Sequence, residues 1–454
     1  MKKNNRNLSK KEIELISESV VGKKFGELGS LVNDNKGGFG LFMEEVVFEY
    51  DINSDSNPDF KEAGIEMKVT PYRKNANGTY SAKERLVLNI INYMEEYKNT
   101  FYTSSFWNKN KTLQIFFYLW EPFINKADFK ITHQILFEYP EEDLIVIQND
   151  WELIINKIKE GLAHEISEAD TLYLGACPKG ANKTSLRKQP FSNIMAMQRA
   201  YCLKQSYMTQ LIRSRVIGKK GEQILSISEI KEKKFEDAIY EKLKRYIGLS
   251  RKKLIDLFSL ENKSNKSINE ILLARMLGIK GRVSTTEEFM KANIIAKTIR
   301  VEENGKVIES MSFPAFKYNE IVNEEWEASS LRYMFETTKF MFVIFKKKDD
   351  EYYFEKIKFW NMPISDLDNY VRLVWEKTVS IIKNGNIVKY IDKNGKRITN
   401  FPGMAKNQVS HVRPHAQNKS DVYELPIKDK VTESTTYSKH CFWLNNTYVM
   451  KIIK

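Results

Sequence analysis

Residues 150–161, DWELIINKIKEG, return in altered form at 374–385 as VWEKTVSIIKNG. Trp151 matches Trp375, Glu152 matches Glu376 and Gly161 matches Gly385, all at a spacing of 224. Before them, LFEYPEEDL (Leu136–Leu144) parallels FWNMPISDL (Phe359–Leu367), with Pro140, Asp143 and Leu144 over Pro363, Asp366 and Leu367. After them, ACPKGANKTS (Ala176–Ser185) parallels VRPHAQNKSD (Val412–Asp421), and YCLKQSYMTQLI (Tyr201–Ile212) parallels FWLNNTYVMKII (Phe442–Ile453). Matches that keep one order in both halves mark the duplication of a whole domain, which two similar helices alone would not produce. The boundary is expected near Gly218–Gly221, where RSRVIGKKGEQ replaces apolar periodicity with glycine and lysine. Domains at 1–215 and 216–454 follow.

Within the copies, Leu113–Trp120, Ile131–Phe137 and Lys339–Phe345 are rich in Phe, Ile, Val and Tyr and read as strands, whereas Trp151–Glu160 has helical spacing. The expected fold is α/β, two tandem domains with a central mixed sheet flanked by helices in each. With 42% hydrophobic and 12% aromatic residues, both copies have material for a core.

The 72 Lys and Arg against 59 Asp and Glu leave a net charge of +13, which favours a polyanionic partner such as nucleic acid. Cys177, Cys202 and Cys441 form no CxxC, and His133, His164, His411, His415 and His440 form no HExxH. A disulfide framework and a zinc site are therefore not expected, and any metal should be held by carboxylates. No apolar run approaches the roughly 20 residues that span a bilayer. The basic MKKNNRNLSKKE is not followed by the apolar stretch of a signal peptide, so a cytoplasmic location without a membrane partner is expected.

The segment NSDSNPDFKEAGIEMKVTP, Asn53–Pro71, carries the chemistry. Ile65, Met67 and Val69 alternate with Glu66, Lys68 and Thr70, so one strand face is apolar and the other presents a carboxylate beside an ammonium. Asp59 lies in a turn set by Asn57-Pro58 and can fold back to that polar face. Phosphodiester hydrolysis calls for hard oxygen ligands for Mg²⁺, here Asp59 and Glu66, and a lysine to orient water and offset developing charge, here Lys68. Glu-x-Lys more often means a solvated surface pair, as at Glu96-Tyr97-Lys98, Glu229-Ile230-Lys231 and Glu232-Lys233-Lys234, which lack an upstream Asp in a turn.

KGGFGLFME (Lys36–Glu44), PDFKEAGIEMK, SSFWNKNK (Ser104–Lys111), CPKGAN and YCLK occur in this order. Together they resemble the MutH family of nucleases, with a restriction-endonuclease-like fold, and within it the two-domain restriction endonucleases that cleave at GATC. The resemblance covers most of residues 8–215 and, more faintly, 235–454. It implies Glu44 as a further acidic site residue, with Glu45 competing because the following loop is one residue longer than the family pattern. It implies Lys109 at the active site and Lys36 as a phosphate or active-site contact. Pro178, Lys179 and Gly180 would form the recognition loop, with Lys179 as guanine reader, and Lys204 would join the DNA contacts. Cys177 and Cys202 stand where that family has an arginine and a tyrosine.

In the second copy NKSINEILLARML (Asn265–Leu277) puts Ala274 opposite Glu44, and EFMKANIIAK (Glu288–Lys297) puts Glu288, Ile295 and Lys297 opposite Asp59, Glu66 and Lys68. Too few carboxylates remain to hold Mg²⁺, so this copy should be catalytically silent. It keeps Arg413-Pro414-His415 at the recognition-loop position, which implies a DNA-binding effector domain; a dimerisation or scaffold module is the plainer alternative. The expected activity is a Mg²⁺-dependent type II restriction endonuclease acting on double-stranded DNA with GATC, with DNA-induced dimerisation. A MutH-like repair enzyme that nicks one strand and a non-catalytic DNA-binding regulator are the rivals.

Overall fold

The computed structural model describes residues 7–30, 38–50, 56–180, 184–260 and 268–454. They form two compact units, residues 1–239 with 279–293 and residues 240–278 with 294–454. The first unit thus takes in residues 216–239 and 279–293, beyond the glycine-rich stretch at Gly218–Gly221. Carboxylates hold them there: Glu288 accepts from the Ile224 and Leu225 N–H groups, Glu287 accepts from Gly221, and Lys291 pairs with Asp143 at 2.8 Å.

The strands of the first unit are β1 (Glu66–Lys74), β2 (Tyr80–Ala82), β3 (Leu86–Ile90), β4 (Thr112–Leu119), β5 (Ile131–Glu138), β6 (Leu174–Pro178), β7 (Leu186–Gln189), β8 (Ser192–Met197) and β9 (Arg199–Leu203). One sheet has the order β2-β1-β4-β5, with β1 and β4 parallel and the other pairs antiparallel. Strand β4 lies in the middle with Leu113–Phe117 wholly buried, which is why it reads as a nearly continuous apolar run broken only by Gln114, whose side chain donates to Gln134 at 2.7 Å. The apolar face of β1, through Ile65 and Met67, packs with Phe48, Phe60, Phe116 and Tyr118. Each such buried large side chain contributes roughly 1.5–3 kcal/mol. A second sheet has the order β3-β9-β6, and β7 and β8 form a separate two-stranded ribbon.

In the second unit the strands are β10 (Ile294–Val301), β11 (Met311–Phe316), β12 (Lys339–Lys348), β13 (Glu351–Trp360), β14 (Val388–Ile391), β15 (Arg397–Thr399), β16 (Ser410–Pro414), β17 (Val422–Glu424), β18 (Thr436–Ser438) and β19 (His440–Leu444). Its topology repeats the first. Strand β10 is parallel to β12, β12 is antiparallel to β13, and β19 lies between β11 and β16. The likeness extends to single atoms. Ser104 and Ser329 each cap a helix, accepting from the Trp107 and Arg332 N–H groups at 3.1 and 3.2 Å.

Gly161 and Gly385 end the helices Glu141–Lys159 and Arg372–Lys383 with φ of 71° and 62°. A Cβ at either would lie 2.7 Å from a backbone carbonyl oxygen, of Phe191 or of Lys428. The glycines shared by the two sequence copies thus meet one steric demand twice.

The expected strands and the helix at Trp151–Glu160 are all present, and the fold is mixed α/β in both units. Among the described residues no helix is long and apolar enough to cross a membrane.

Candidate active site

The Asp59–Glu66 spacing is explained by a tight turn. Phe60 and Ile65 exchange backbone hydrogen bonds, 3.0 and 3.2 Å, and Gly64 takes φ +65° between them. Residues 59 and 66 are the next pair outward. The Asp59 N–H donates to Glu66 Oε2 at 3.2 Å, and Asp59 Oδ2 accepts from the Met67 N–H at 2.9 Å. Lys68, two residues along β1 and on the same face, donates to Glu66 Oε1 at 2.5 Å.

Lys109 arrives from the short helix Ser105–Asn110, whose end feeds β4 beside β1. Its Nζ lies 3.8 Å from Glu66 Oε1. The helix is fixed from below: Asn110 donates to Asn89 Oδ1 on β3 at 2.8 Å, and Asn89 donates to Ser105 Oγ at 3.0 Å. Sequence reasoning does not single out these two asparagines; Asn89, within the apolar LVLNII, carries a signal, and Asn110, within WNKNKT, carries none.

Glu44 joins the cluster from the π-helical turn Met43–Val47, a distortion often found at functional positions. Burial pushes its carboxyl up to about 7, and the Asp59 and Glu66 charges push the same way against Lys68 and Lys109. Glu66 is 3% exposed, and burial raises its pKa too, opposed chiefly by Lys68. Glu44, Asp59, Glu66, Lys68 and Lys109 therefore form one electrostatic cluster. The charges of Asp59, Glu66, Lys68 and Lys109 all act on Glu44.

A pH effect follows. Glu44 titrates near 4.5 when unfolded and near 7 when folded, so its contribution to stability is complete below the lower value and lost as pH rises through the upper one. In the presence of a chelator the thermal midpoint is expected to fall as pH is raised from about 5 to 8, and to fall less when Mg²⁺ is added. Differential scanning fluorimetry reads both; a midpoint that rises across that range would remove Glu44 from the carboxylate cluster.

Pro178, Lys179 and Gly180 are exposed where β6 ends, with the Lys179 N–H bound to the Gln198 carbonyl at 2.7 Å. Arg413, Pro414 and His415 are exposed at the end of β16. Pro178 and Pro414 are the last residues of equivalent strands, as the repeat requires. Arg413 lies over the Trp443 ring at 5.1 Å, and His415 meets the same ring edge-on at 6.0 Å. Lys36 lies outside the described residues.

Lys204 departs from expectation. It is 1% exposed, its Nζ donates to the Thr171 carbonyl at 2.5 Å, and its charge favours the buried Asp150 carboxylate, so this geometry gives it no access to DNA. Asp150 accepts from the Leu172, Tyr173 and Leu174 N–H groups at 2.6–2.9 Å, fixing the start of β6. The sequence held a signal for this support: Asp150 sits among Val146, Ile147, Trp151 and Ile154 on the buried helix face.

In the second unit Ile295 faces Phe340, the second residue of β12, just as Glu66 faces Leu113, the second residue of β4. Lys297 holds the Lys68 position, and burial lowers its pKa. Ala274 is buried in the helix Ile268–Met276. Glu288 belongs to the first unit, where its carboxylate binds the Ile224 and Leu225 N–H groups.

A family model described as the DNA mismatch repair enzyme MutH matches residues 48–150, a span that includes Asp59, Glu66, Lys68 and Lys109. The DNA mismatch repair protein MutH of Shewanella woodyi is 29% identical over 192 residues, which cover 40% of this chain and 78% of that protein. The type II restriction enzyme Sau3AI of Staphylococcus aureus is 38% identical over 486 aligned residues, covering 98% of this chain and 99% of the relative. With that near-complete match and a carboxylate–lysine cluster inside the matched span, the chain belongs to the MutH-like type II restriction endonucleases.

Proposed function

We propose that this enzyme is a Mg²⁺-dependent endonuclease that hydrolyses both strands of DNA at GATC and leaves 5′-phosphate ends. We assign residues 1–215 to catalysis and, within residues 216–454, the second compact unit to a silent copy that binds a second DNA site as effector. The observation that carries the reading is the contrast between the two copies: Glu44, Asp59, Glu66, Lys68 and Lys109 converge in the first, while Ile295 and Ala274 stand at two of the acidic positions in the second.

The donor set suits a hard cation. Buried carboxylates crowd together until one of them holds a proton near neutrality, an arrangement that a divalent ion relieves. The described residues hold no ready group of three acidic, histidine or cysteine donors. Mg²⁺ needs no such cage, since one or two carboxylates, water and substrate phosphate complete its shell. Asp59 and Glu66 would hold it, and when bound it supplies Lewis-acid polarisation of the phosphodiester and a more acidic water.

The chain's own residues do the rest. Lys68, drawn to Glu66, orients the attacking water in line with the 3′-oxygen that leaves, and Lys109 from the helix before β4 offsets charge on the phosphoryl oxygens. Lys179 reads guanine from the loop after β6, and Arg413 does so in the second copy. With one active site per chain, binding of a second DNA at the carboxy-terminal copy or DNA-mediated pairing of two chains brings two active sites to the two strands.

Purified protein alone, given unmethylated plasmid and Mg²⁺, is expected to yield double-strand breaks at GATC, faster on plasmids with two sites than with one, and none in EDTA. Nicks that depend on a helper protein would replace this reading with the repair enzyme. Binding without any cleavage would replace it with the regulator.

A further inference from the structure

From residue 171 to residue 221 the chain contains no Asp or Glu, although it contains ten Lys or Arg, of which Arg199 and Lys204 are buried. At the average acidic content of this sequence about seven would be expected there, so the gap is a feature of the segment and not of the composition. The segment runs through β6 and the recognition loop and includes the β7–β8 ribbon, which pairs with neither larger sheet. The equivalent connection of the second copy, from Pro414 to His440, contains Asp421, Glu424, Asp429 and Glu433.

The ribbon is held at both ends. At its base Gln198 accepts from the Lys179 N–H at 2.7 Å and donates to the Ser185 carbonyl at 2.8 Å. At its tip Gln189 is buried; its Oε1 accepts from the Ala163 N–H at 2.7 Å and its Nε2 donates to the Ile194 carbonyl at 2.6 Å. Gly161 lets the Phe191 carbonyl approach beside it. Between these anchors the ribbon presents Arg187 and Lys188 to solvent, together with Ile194 and Met195, 56% and 43% exposed.

We propose that this ribbon is a second DNA-contacting element, which lies on duplex flanking the recognition tetranucleotide and extends the footprint of the catalytic copy. Arg187 and Lys188 bind backbone phosphates, and Ile194 and Met195 pack on deoxyribose or thymine methyl groups. Three observations argue for DNA as the occupant: the charge complementarity of an acid-free segment, continuity through Gln198 with the Lys179 loop, and the fit of a two-stranded ribbon to the major groove. The proposal rests on the reading above that Lys179 faces DNA.

The test uses the full chain with Ca²⁺ in place of Mg²⁺, and compares a long duplex bearing one GATC with one trimmed close to it. For R187A/K188A the slope of log affinity against log salt on the long duplex is expected to fall by about 1.8, since each phosphate contact contributes about 0.9. The advantage of the long duplex over the short one should shrink with it. The charge-conserving R187K/K188R should keep both, which excludes a merely misfolded ribbon. I194D/M195D should alter the preference among flanking sequences. Slopes and length dependence equal to wild type would overturn the proposal. So would a change confined to the oligomeric state without DNA, which would make the ribbon a contact between copies. Failure of the functional reading is distinct: the unaltered protein would then show no preference for the GATC duplex over a scrambled one.

Discussion

Replacing Glu66 by alanine is expected to slow DNA cleavage by about 10³-fold or more while leaving specific DNA binding intact. Glu66 is where the cluster converges. Its Oε1 lies 2.5 Å from Lys68 and 3.8 Å from Lys109, its Oε2 takes the Asp59 N–H, and its charge helps keep Glu44 protonated. Alanine removes one proposed cation ligand and leaves two ammonium groups without their shared counter-charge.

Glu66→Gln is the companion variant. It keeps the shape and can still accept a hydrogen bond, but not the charge, so it should fold more nearly like the parent and be as inactive. Single-turnover cleavage and binding in Ca²⁺ separate the two effects. Near-normal cleavage by either variant would dismiss the assignment, and loss of binding together with cleavage would make Glu66 structural.

The second large effect concerns the buried pair behind β6. Asp150→Ala is expected to cost about 3–5 kcal/mol of unfolding free energy, because it leaves the Lys204 ammonium buried without its carboxylate and three N–H groups without an acceptor. Adding Lys204→Met should recover part of that loss, since an unpaired buried charge is removed, but not all of it, since the N–H groups stay unsatisfied. A double-mutant cycle in urea measures the coupling, and additive losses would show that the two groups act independently.

The second copy solves the same problem without ions. Val374 stands for Asp150 and Asn445 for Lys204. Asn407 Oδ1 accepts from the Val409 and Ser410 N–H groups at 2.9 and 3.0 Å, while Asn445 donates to the Asn407 carbonyl at 2.6 Å. The demand belongs to the fold, and the charges are one way of meeting it. The loss in the Asp150 variant should therefore appear as stability, and in activity only through displacement of Lys179.

Much of the site was legible because it is local. Asp59, Glu66 and Lys68 lie within ten residues, on a strand whose alternation shows its faces and a turn that brings residue 59 to residue 66. The duplication was legible because the copies retain caps and glycines at equivalent positions, each demanded by backbone geometry.

Two things were decided only in three dimensions. Glu44 and Glu45 are adjacent in the chain, and the π-helical turn at Met43–Val47 brings the Glu44 charge to the carboxylate cluster. Lys204 reads as a surface cation, yet it closes a core in which Asp150, on a helix more than fifty residues earlier, supplies its charge partner. Periodicity and turn chemistry act over a few residues and are written in the sequence. Side-chain direction at a distorted turn and the pairing of charges across a core depend on which distant elements pack together, and that is a property of the folded chain alone.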